Sequence, residues 1–269
     1  AVALDPNDPD NTIYVGTGET WTRNSISVGD GMYKSVDGGS NWTKLGFDSS
    51  EHISNIIVNP TNSKEIYVGV LGALWGDSEE RGVFKTLDGG ITWDKILYTD
   101  QTTGCADLTM DPNDSNILYA SMWEFRRTGW SFQSGGKNSA LHKSIDGGKT
   151  WERISSGHGD YHDLWINPKN SKNMIISDDG GGEITFDNGN SWSSINIMPT
   201  AQFYRVNVDN LFPYNLYGGQ QDNSTVKIAS IGSRGGISQS DWSASAGGES
   251  AFLAFDPDDP QIVMGGSYL

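Results

Sequence analysis

The strongest constraint on this chain is a short motif that returns four times. "SVDGGSNW" begins at Ser35, and near copies follow as "TLDGGITW" at Thr86, "SIDGGKTW" at Ser144 and "TFDNGNSW" at Thr185. A second marker keeps step with it: "ALDPNDPDNTIYVG" at Ala3, "IVNPTNSKEIYVG" at Ile57, "TMDPNDSNILYAS" at Thr109, "WINPKNSKNMIIS" at Trp165, a variant "NVDNLFPYNLYGG" at Asn207 and "AFDPDDPQIVMGG" at Ala254. Each of these is an apolar run, an Asp/Asn-Pro turn and a second apolar run, the pattern of two strands joined by a turn. A third alternating run ("GMYKS", "GVFKT", "ALHKS", "GEITF") leads into the Asp motif, and a fourth, such as "TKLGF" or "DKILY", leaves its Trp.

Four antiparallel strands in roughly 50 residues is the period of a β-propeller blade. The expected fold is therefore all-β: a single propeller domain over 1–269, with units near 1–48, 52–99, 105–156, 160–198 and 202–247 and a partial sixth at 249–269. The fifth unit carries a degraded motif, "SQSDWSAS". Abundant Gly, Asn, Asp and Ser fits short strands joined by turns. If strands A to D zigzag outward, the Asp motif is the C–D turn and lies at the opposite end of each blade from the B–C loop. Length varies most between strands B and C, from "DDGGG" to "WEFRRTGWSFQSGGKNS".

A catalytic residue is rarely needed four times, so the motif reads as structure. Its carboxylate can accept backbone N–H bonds inside the turn, its hydroxyl can tie turn to strand, and its Trp can cover the packing beneath. Asp37, Asp88, Asp146 and Asp187, with Trp42, Trp93, Trp151 and Trp192, are expected to hold turns and do no chemistry.

Charge narrows the partners. With 34 acidic against 18 basic side chains and a net charge of -16, the chain repels polyanions, which argues against nucleic acid. No apolar run reaches about 18 residues, so no membrane-inserted helix is expected. The single cysteine, Cys105, excludes an internal disulfide.

The motif S/T-x-D-x-G-x-x-W resembles the Asp-box, or bacterial neuraminidase repeat, of sialidases, xyloglucan-active glycosidases and the sortilin ectodomain. "VGTGE", "GDGMYKSVDGGSNW", "ALWGDSEERGVFKTLDGG" and "AQFYRVNVDN" with "YGGQQDN" are most similar to sortilin-like "glycosyl hydrolase BNR repeat" bacterial proteins. The resemblance covers nearly the whole chain and implies an extracellular or periplasmic location. It also implies a longer parent, of which this chain reads as a fragment whose open blade edge is covered by missing blades or another chain.

Candidate chemistry sits at strand ends. Aligning the ends of strand B places Glu19, Gly72, Glu124, Gly180 and Asp222 at equivalent positions, and Glu19, Glu124 and Asp222 are the candidate catalytic carboxylates. Aligning the starts of strand A, eight residues before the turn Pro or its equivalent, gives His52, Gly104, Asp160, Gln202 and Glu249, expected at the mouth of a central channel. Loop residues Trp21, Arg23, Trp75, Trp123, Arg126 and Trp130, together with Arg81, Arg127, Phe132, His162 and Gln221, complete the candidate ligand-binding set.

Indoles beside carboxylates suit a sugar, because an aromatic face covers its C–H surface while acids and amides bind its hydroxyls. Glycoside hydrolysis uses two carboxyl groups, and several are present without a unique pair. A sialidase is disfavoured, since no aligned strand end is Arg and Arg-Ile-Pro is absent. Two functional readings stand: a carbohydrate- or polymer-binding propeller that hydrolyses its ligand through paired carboxylates, and a sortilin-like scaffold that binds peptide or protein without catalysis.

No cofactor is required and no metal site is assigned. "HGDYHDL", with His158, Asp160, His162 and Asp163, can bring only a subset of its side chains together along a strand. The acidic turns "DPNDPDN" and "DPDDP" offer oxygen ligands for a structural Ca²⁺ but are equally ordinary Asx and Pro turns.

Overall fold

In the computed structural model, the described residues are 1–22, 25–154, 161–178, 180–195, 201–232, 234–249, 252–259 and 261–267. They form two compact units, one of residues 1–178 and 182–194, the other of 179–181 and 195–269.

The first unit is built from consecutive sheets in which each strand pairs with the next in sequence. β1 (Val2–Leu4), β2 (Ile13–Gly16), β3 (Met32–Ser35) and β4 (Thr43–Lys44) form the first. β5 (Ile53–Asn59), β6 (Asn62–Val70), β7 (Gly82–Thr86) and β8 (Asp94–Leu97) form the second. In the third, β9 (Thr103–Asp111), β10 (Asp114–Arg127), β12 (Ala140–Ser144) and β13 (Glu152–Ile154) make the four-strand run, and β11 (Phe132–Ser134) pairs with the far end of β10. β14 (Tyr161–Ile166), β15 (Met174–Asp178) and β16 (Gly181–Thr185) make up a fourth sheet. The second unit carries β17 (Asn207–Val208), β18 (Asn215–Gly219), β19 (Thr225–Ala229) and β20 (Trp242–Ala244), followed by the pair β21 (Ala254–Phe255) and β22 (Val263–Met264). This is the all-β, four-stranded blade architecture expected from the repeats.

The apolar alternation of strands A and B exists because cores form between successive sheets of the first unit. Tyr14 and Met32 pack with Ile53, Ile66 and Val68. Val83 packs with Cys105, Leu118 and Met122, and Tyr119 with Leu164, Met174 and Ile176. Trp93, Trp151 and Trp192 each cover one of these cores, closing the seam between their own sheet and the one before; Trp42, in the first sheet, is 43 % exposed and only donates to the Gly39 carbonyl of its own turn. A second repeating device is a cross-strand pair: Lys34, Lys85, Lys143 and Lys227 lie 4.8 to 5.7 Å from the ring centres of Tyr14, Tyr67, Tyr119 and Tyr217. In the middle sheets the pair also reaches the next blade. Lys85 Nζ and the Tyr67 hydroxyl donate to the Gly147 carbonyl, while Lys143 Nζ and the Tyr119 hydroxyl donate to the Asn188 carbonyl and its side-chain oxygen.

The four Asp motifs are superposable in their bonding. The hydroxyl-bearing residues Ser35, Thr86, Ser144 and Thr185 are at most 2 % exposed. Each donates to the motif carboxylate at 2.7–2.8 Å and accepts the N–H of the second turn residue. The other carboxylate oxygen accepts, at 2.6 Å, from Asn41 Nδ2 or the hydroxyls of Thr92, Thr150 and Ser191. These bonds hold Asp37, Asp146 and Asp187 down at about 2, the side-chain donor four residues on contributing most, and Asp88 lower still. The turn needs a left-handed residue after the Asp: Gly38, Gly89 and Gly147 supply it at φ 67, 81 and 72°, and in the fourth motif Asn188 does so at 65°. Asn tolerates that region better than other non-glycine residues, which accounts for "DNG" replacing "DGG". The degraded fifth motif keeps a fragment of the scheme, with the Ser238 hydroxyl donating to Asp241.

Among the described residues no helix is long and apolar enough to cross a membrane.

Candidate functional site

A cleft of about 780 Å³ opens in the first unit where strand A residues of three sheets meet B–C loops. Strand A contributes Ser54 and Asn55 from β5, Ala106 and Asp107 from β9, and Tyr161 and His162 from β14. Trp123 and Phe132, from the β10–β11 hairpin, form an aromatic wall, and Thr20, Trp21 and Thr22 enter from the first B–C loop. Trp123 is stacked on Phe125 at 4.6 Å and meets Phe132 edge-on at 6.0 Å, while the Arg127 guanidinium lies 4.4 Å over Phe132. The wall is therefore braced from behind and is not a loose flap.

The cleft has a built polar floor. In β5, β9 and β14 alike the ladder slips by one residue at the same place. Ile53 faces Val70 and Asn55 faces Gly69; Cys105 faces Met122 and Asp107 faces Ser121; Tyr161 faces Asp178 and Asp163 faces Ser177. The extra residues, Ser54, Ala106 and His162, all line the cleft. A bulge re-aims side chains and is enriched beside functional sites. Burial, helped by the Asp163 charge, pushes the Asp107 pKa above the ordinary carboxylate value.

Several expected site residues fall elsewhere, for identifiable reasons. His52, expected at a channel mouth, is fully buried; burial, then the Arg81 charge, lowers its pKa, so it is no exposed ligand group. Arg81 is also fully buried. It donates to the carbonyls of Leu71, Thr102, Gly76 and Ala73 and stacks on Phe125 at 4.6 Å, which staples the second B–C loop in place. Its pKa falls to about 10, chiefly through burial. Arg126 pairs with Asp77 at 3.0 Å.

Glu124 lies inside β10 and not at its end. Its carboxylate accepts from the Asn138 N–H at 3.1 Å and Gln133 Nε2 at 3.2 Å, closing its own long loop. Glu19 accepts weakly from the Ser27 N–H at 3.4 Å. Trp21, Trp75 and Trp130 are exposed by 77, 52 and 91 %; only Trp21 of these three lines the cleft. Arg23 and Asp160, with His158, lie outside the described residues.

The second unit brings four expected residues together by itself. Glu249 accepts from the Asp222 N–H at 2.7 Å and Gln221 Nε2 at 3.3 Å, and the Gln221 N–H donates to the Gln202 carbonyl at 2.9 Å.

Asn55, Asp107 and Tyr161 were not singled out from the sequence, but a signal for the first two exists. Asn55, Asp107 and Asp163 each stand five residues before Pro60, Pro112 and Pro168, so the alignment that selected strand starts needed only to be read three residues further. Carboxylates of the acidic turns are engaged by turn groups. Asp5 accepts from the Asn7 N–H and Ser63 hydroxyl, and Asp256 from the N–H groups of Asp258 and Asp259. Among the described residues no group of three or more His, Cys, Asp or Glu side chains is placed to hold a metal ion.

Comparison with known proteins agrees with this architecture. A xyloglucanase from Paenibacillus sp is 22 % identical over 281 residues, covering 87 % of this chain and 24 % of its own length. A xyloglucanase from Hypocrea jecorina is 27 % identical over 219 residues, covering 71 % of this chain and 24 % of its own. This chain thus spans about a quarter of those curated relatives. In fold it is similar to the crystal structure of an ancestral GH74 enzyme (TM-score 0.53, 15 % identity, 97 % of this chain and 33 % of that one). It is also similar to the GH74 xyloglucanase of Xanthomonas campestris (TM-score 0.51, 16 % identity, 97 % and 41 %). These likenesses, with the four Asp motifs, make it a glycoside hydrolase-like β-propeller of the Asp-box type. The model of the family described as "Sortilin-Vps10: Sortilin, neurotensin receptor 3" matches residues 30–177, more than half of the chain, and the protein belongs to that family.

Proposed function

We propose that the cleft of the first unit binds a carbohydrate chain, and that in the whole protein this binding serves glycoside hydrolysis outside the cytoplasm. The observation that carries the reading is the cleft itself: a braced aromatic wall, Trp123 with Phe132, faces a polar floor from three consecutive strands A. Sugars need this combination, since their C–H faces stack on rings while their hydroxyls require paired donors and acceptors. The xyloglucanase relatives support the substrate class. Asp107 joins Glu19, Glu124 and Asp222 among the candidate carboxylates, and Glu124 ranks lower because it already holds its loop.

The test is calorimetric titration with xyloglucan oligosaccharides, alongside a reducing-end assay on the polymer. Binding that is lost in Trp123→Ala while the fold is kept supports the reading. Absence of any sugar binding by the wild type overturns it. A peptide-binding scaffold is the second reading, favoured by membership of the sortilin family; saturable binding of a peptide, competing with no sugar, would favour it.

A further inference from the structure

The first B–C loop, residues 17–31 between β2 and β3, is seated on a histidine that the blade repeat does not require. The aligned strand-A starts place His52 level with Gly104 of the third sheet, where an added Cβ would lie 2.0 Å from the Leu71 carbonyl oxygen, so the third sheet has no room for a side chain there. At His52 the fold encloses a whole imidazole instead. The residue is 0 % exposed, and neither ring nitrogen is hydrogen-bonded to a described residue. Buried polar atoms are ordinarily paired, and an apolar side chain of similar size would fill this space without the penalty.

Both neighbouring B–C loops close on the peptide that carries the ring. From the first, the Gly29 N–H donates to the Glu51 carbonyl at 2.7 Å, and the Thr17 carbonyl accepts from the Ile53 N–H at 3.1 Å. Gly18 lies against the ring: its φ of 91° is in the left-handed range that favours glycine, and an added Cβ would come within 2.9 Å of His52 Nδ1. From the second loop, the Leu71 N–H donates to the His52 carbonyl at 3.0 Å. Glu51 itself sits at φ 59°, a conformation that costs a non-glycine residue, so the neck of the first loop is assembled under strain around a buried base.

We propose that His52 is a pH-sensitive latch for the first B–C loop: the neutral ring seats the loop's neck at Thr17, Gly18 and Gly29, and protonation releases the neck and with it Trp21, which lines the cleft. A charged imidazole is poorly held in a seat that offers neither nitrogen an acceptor at hydrogen-bond distance. Among the described residues, the charged groups that face the ring are the Glu51 carboxylate, 3.8 Å from Nε2, Glu19 from the first loop and Arg81 from the second. Burial, then the Arg81 charge, holds the His52 pKa below the ordinary histidine value against the pull of Glu19. Once the neck opens the ring is solvated and regains that ordinary value, so closure is fully favoured above it and weakens as pH falls below it.

The experiment follows amide hydrogen exchange of the wild type and His52→Leu between about pH 7.5 and 5.5, a window above ordinary carboxylate titration, each rate being divided by the intrinsic rate at its pH. No ligand is added, so the outcome is independent of the carbohydrate reading. In the wild type the Gly29 and Ile53 amides are expected to lose about tenfold in protection across the window, as one proton is taken up on opening. His52→Leu keeps them protected throughout, and the Gly90 amide, held inside an Asp turn, changes in neither protein. A flat wild-type profile, the same profile in both proteins, or an equal loss at Gly29 and Gly90 overturns the inference. Should His52→Leu fail to fold, the ring nitrogen chemical shifts of His52 in the wild type decide: a ring that stays neutral until Gly29 protection is lost supports the latch, and a charged ring beneath a protected Gly29 overturns it.

Discussion

The Asp-motif turns and the B–C loops are the two ends of the same blades, and they are held by different kinds of bond. Each Asp turn closes on itself: its hydroxyl, carboxylate and second turn residue are two to four positions apart in sequence, and the scheme repeats from Ser35 to Thr185 almost without change. The B–C side is held by long-range bonds that occur once each. Arg81 gathers carbonyls from two segments, Glu124 anchors the residues after β11, and the Trp123 wall depends on Phe125 and Phe132. Local closure makes a turn that any blade can reuse; singular closure makes a surface that can differ from blade to blade. Function is accordingly sought on the side without repetition.

The largest expected effect comes from breaking the singular side at its most buried point. Arg81→Met leaves carbonyls of Leu71, Ala73 and Thr102 without their donor and should cost about 3 kcal/mol or more, measured by urea unfolding. A loss below about 1 kcal/mol would mean the loop is held by something else.

On the repeating side the buried atom is the hydroxyl, so the telling variant is Thr86→Val. It removes the acceptor for the Gly90 N–H and the donor to Asp88, and should cost about 1–3 kcal/mol while leaving cleft binding as in the wild type. Selective loss of ligand binding at unchanged stability would instead give the motif a functional role. Trp21→Ala should do the opposite, weakening sugar binding by about threefold to tenfold with no shift of melting temperature, because the ring is 77 % exposed yet lines the cleft.

The smallest effect separates the two sides by acid and base. The Asp-motif carboxylates are depressed, so the stability they contribute is present above the ordinary carboxylate pKa and is lost as pH falls through about 2. Asp107 is raised, so its contribution is complete at low pH and is lost as pH rises above the ordinary carboxylate value. Melting temperatures of the wild type and Asp107→Asn should therefore converge toward acid and separate toward neutrality, with the variant the more stable there. A constant offset between them across pH 4 to 8 would contradict the raised pKa.

Read alone, the sequence determined the blades: which segments are strands, which pair in order, and that Asp37, Asp88, Asp146 and Asp187 belong to turns. It could do so because every bond involved is local, and a local geometry leaves the same residues at the same spacing each time it is used. The aligned strand-B ends named Glu19 and Glu124 as equals, but only the tertiary structure shows Glu124 engaged by Asn138 and Gln133 from its own loop. His52 and Arg81 looked like surface chemistry because charged and titratable residues usually are; their complete burial depends on tertiary packing, which is not written in either residue's vicinity. Asp107 was the reverse case. Its repeat position was legible five residues before Pro112, but the cleft it lines and the neighbouring strand that places Asp163 beside it arise from packing between segments far apart in the chain, which no local pattern records.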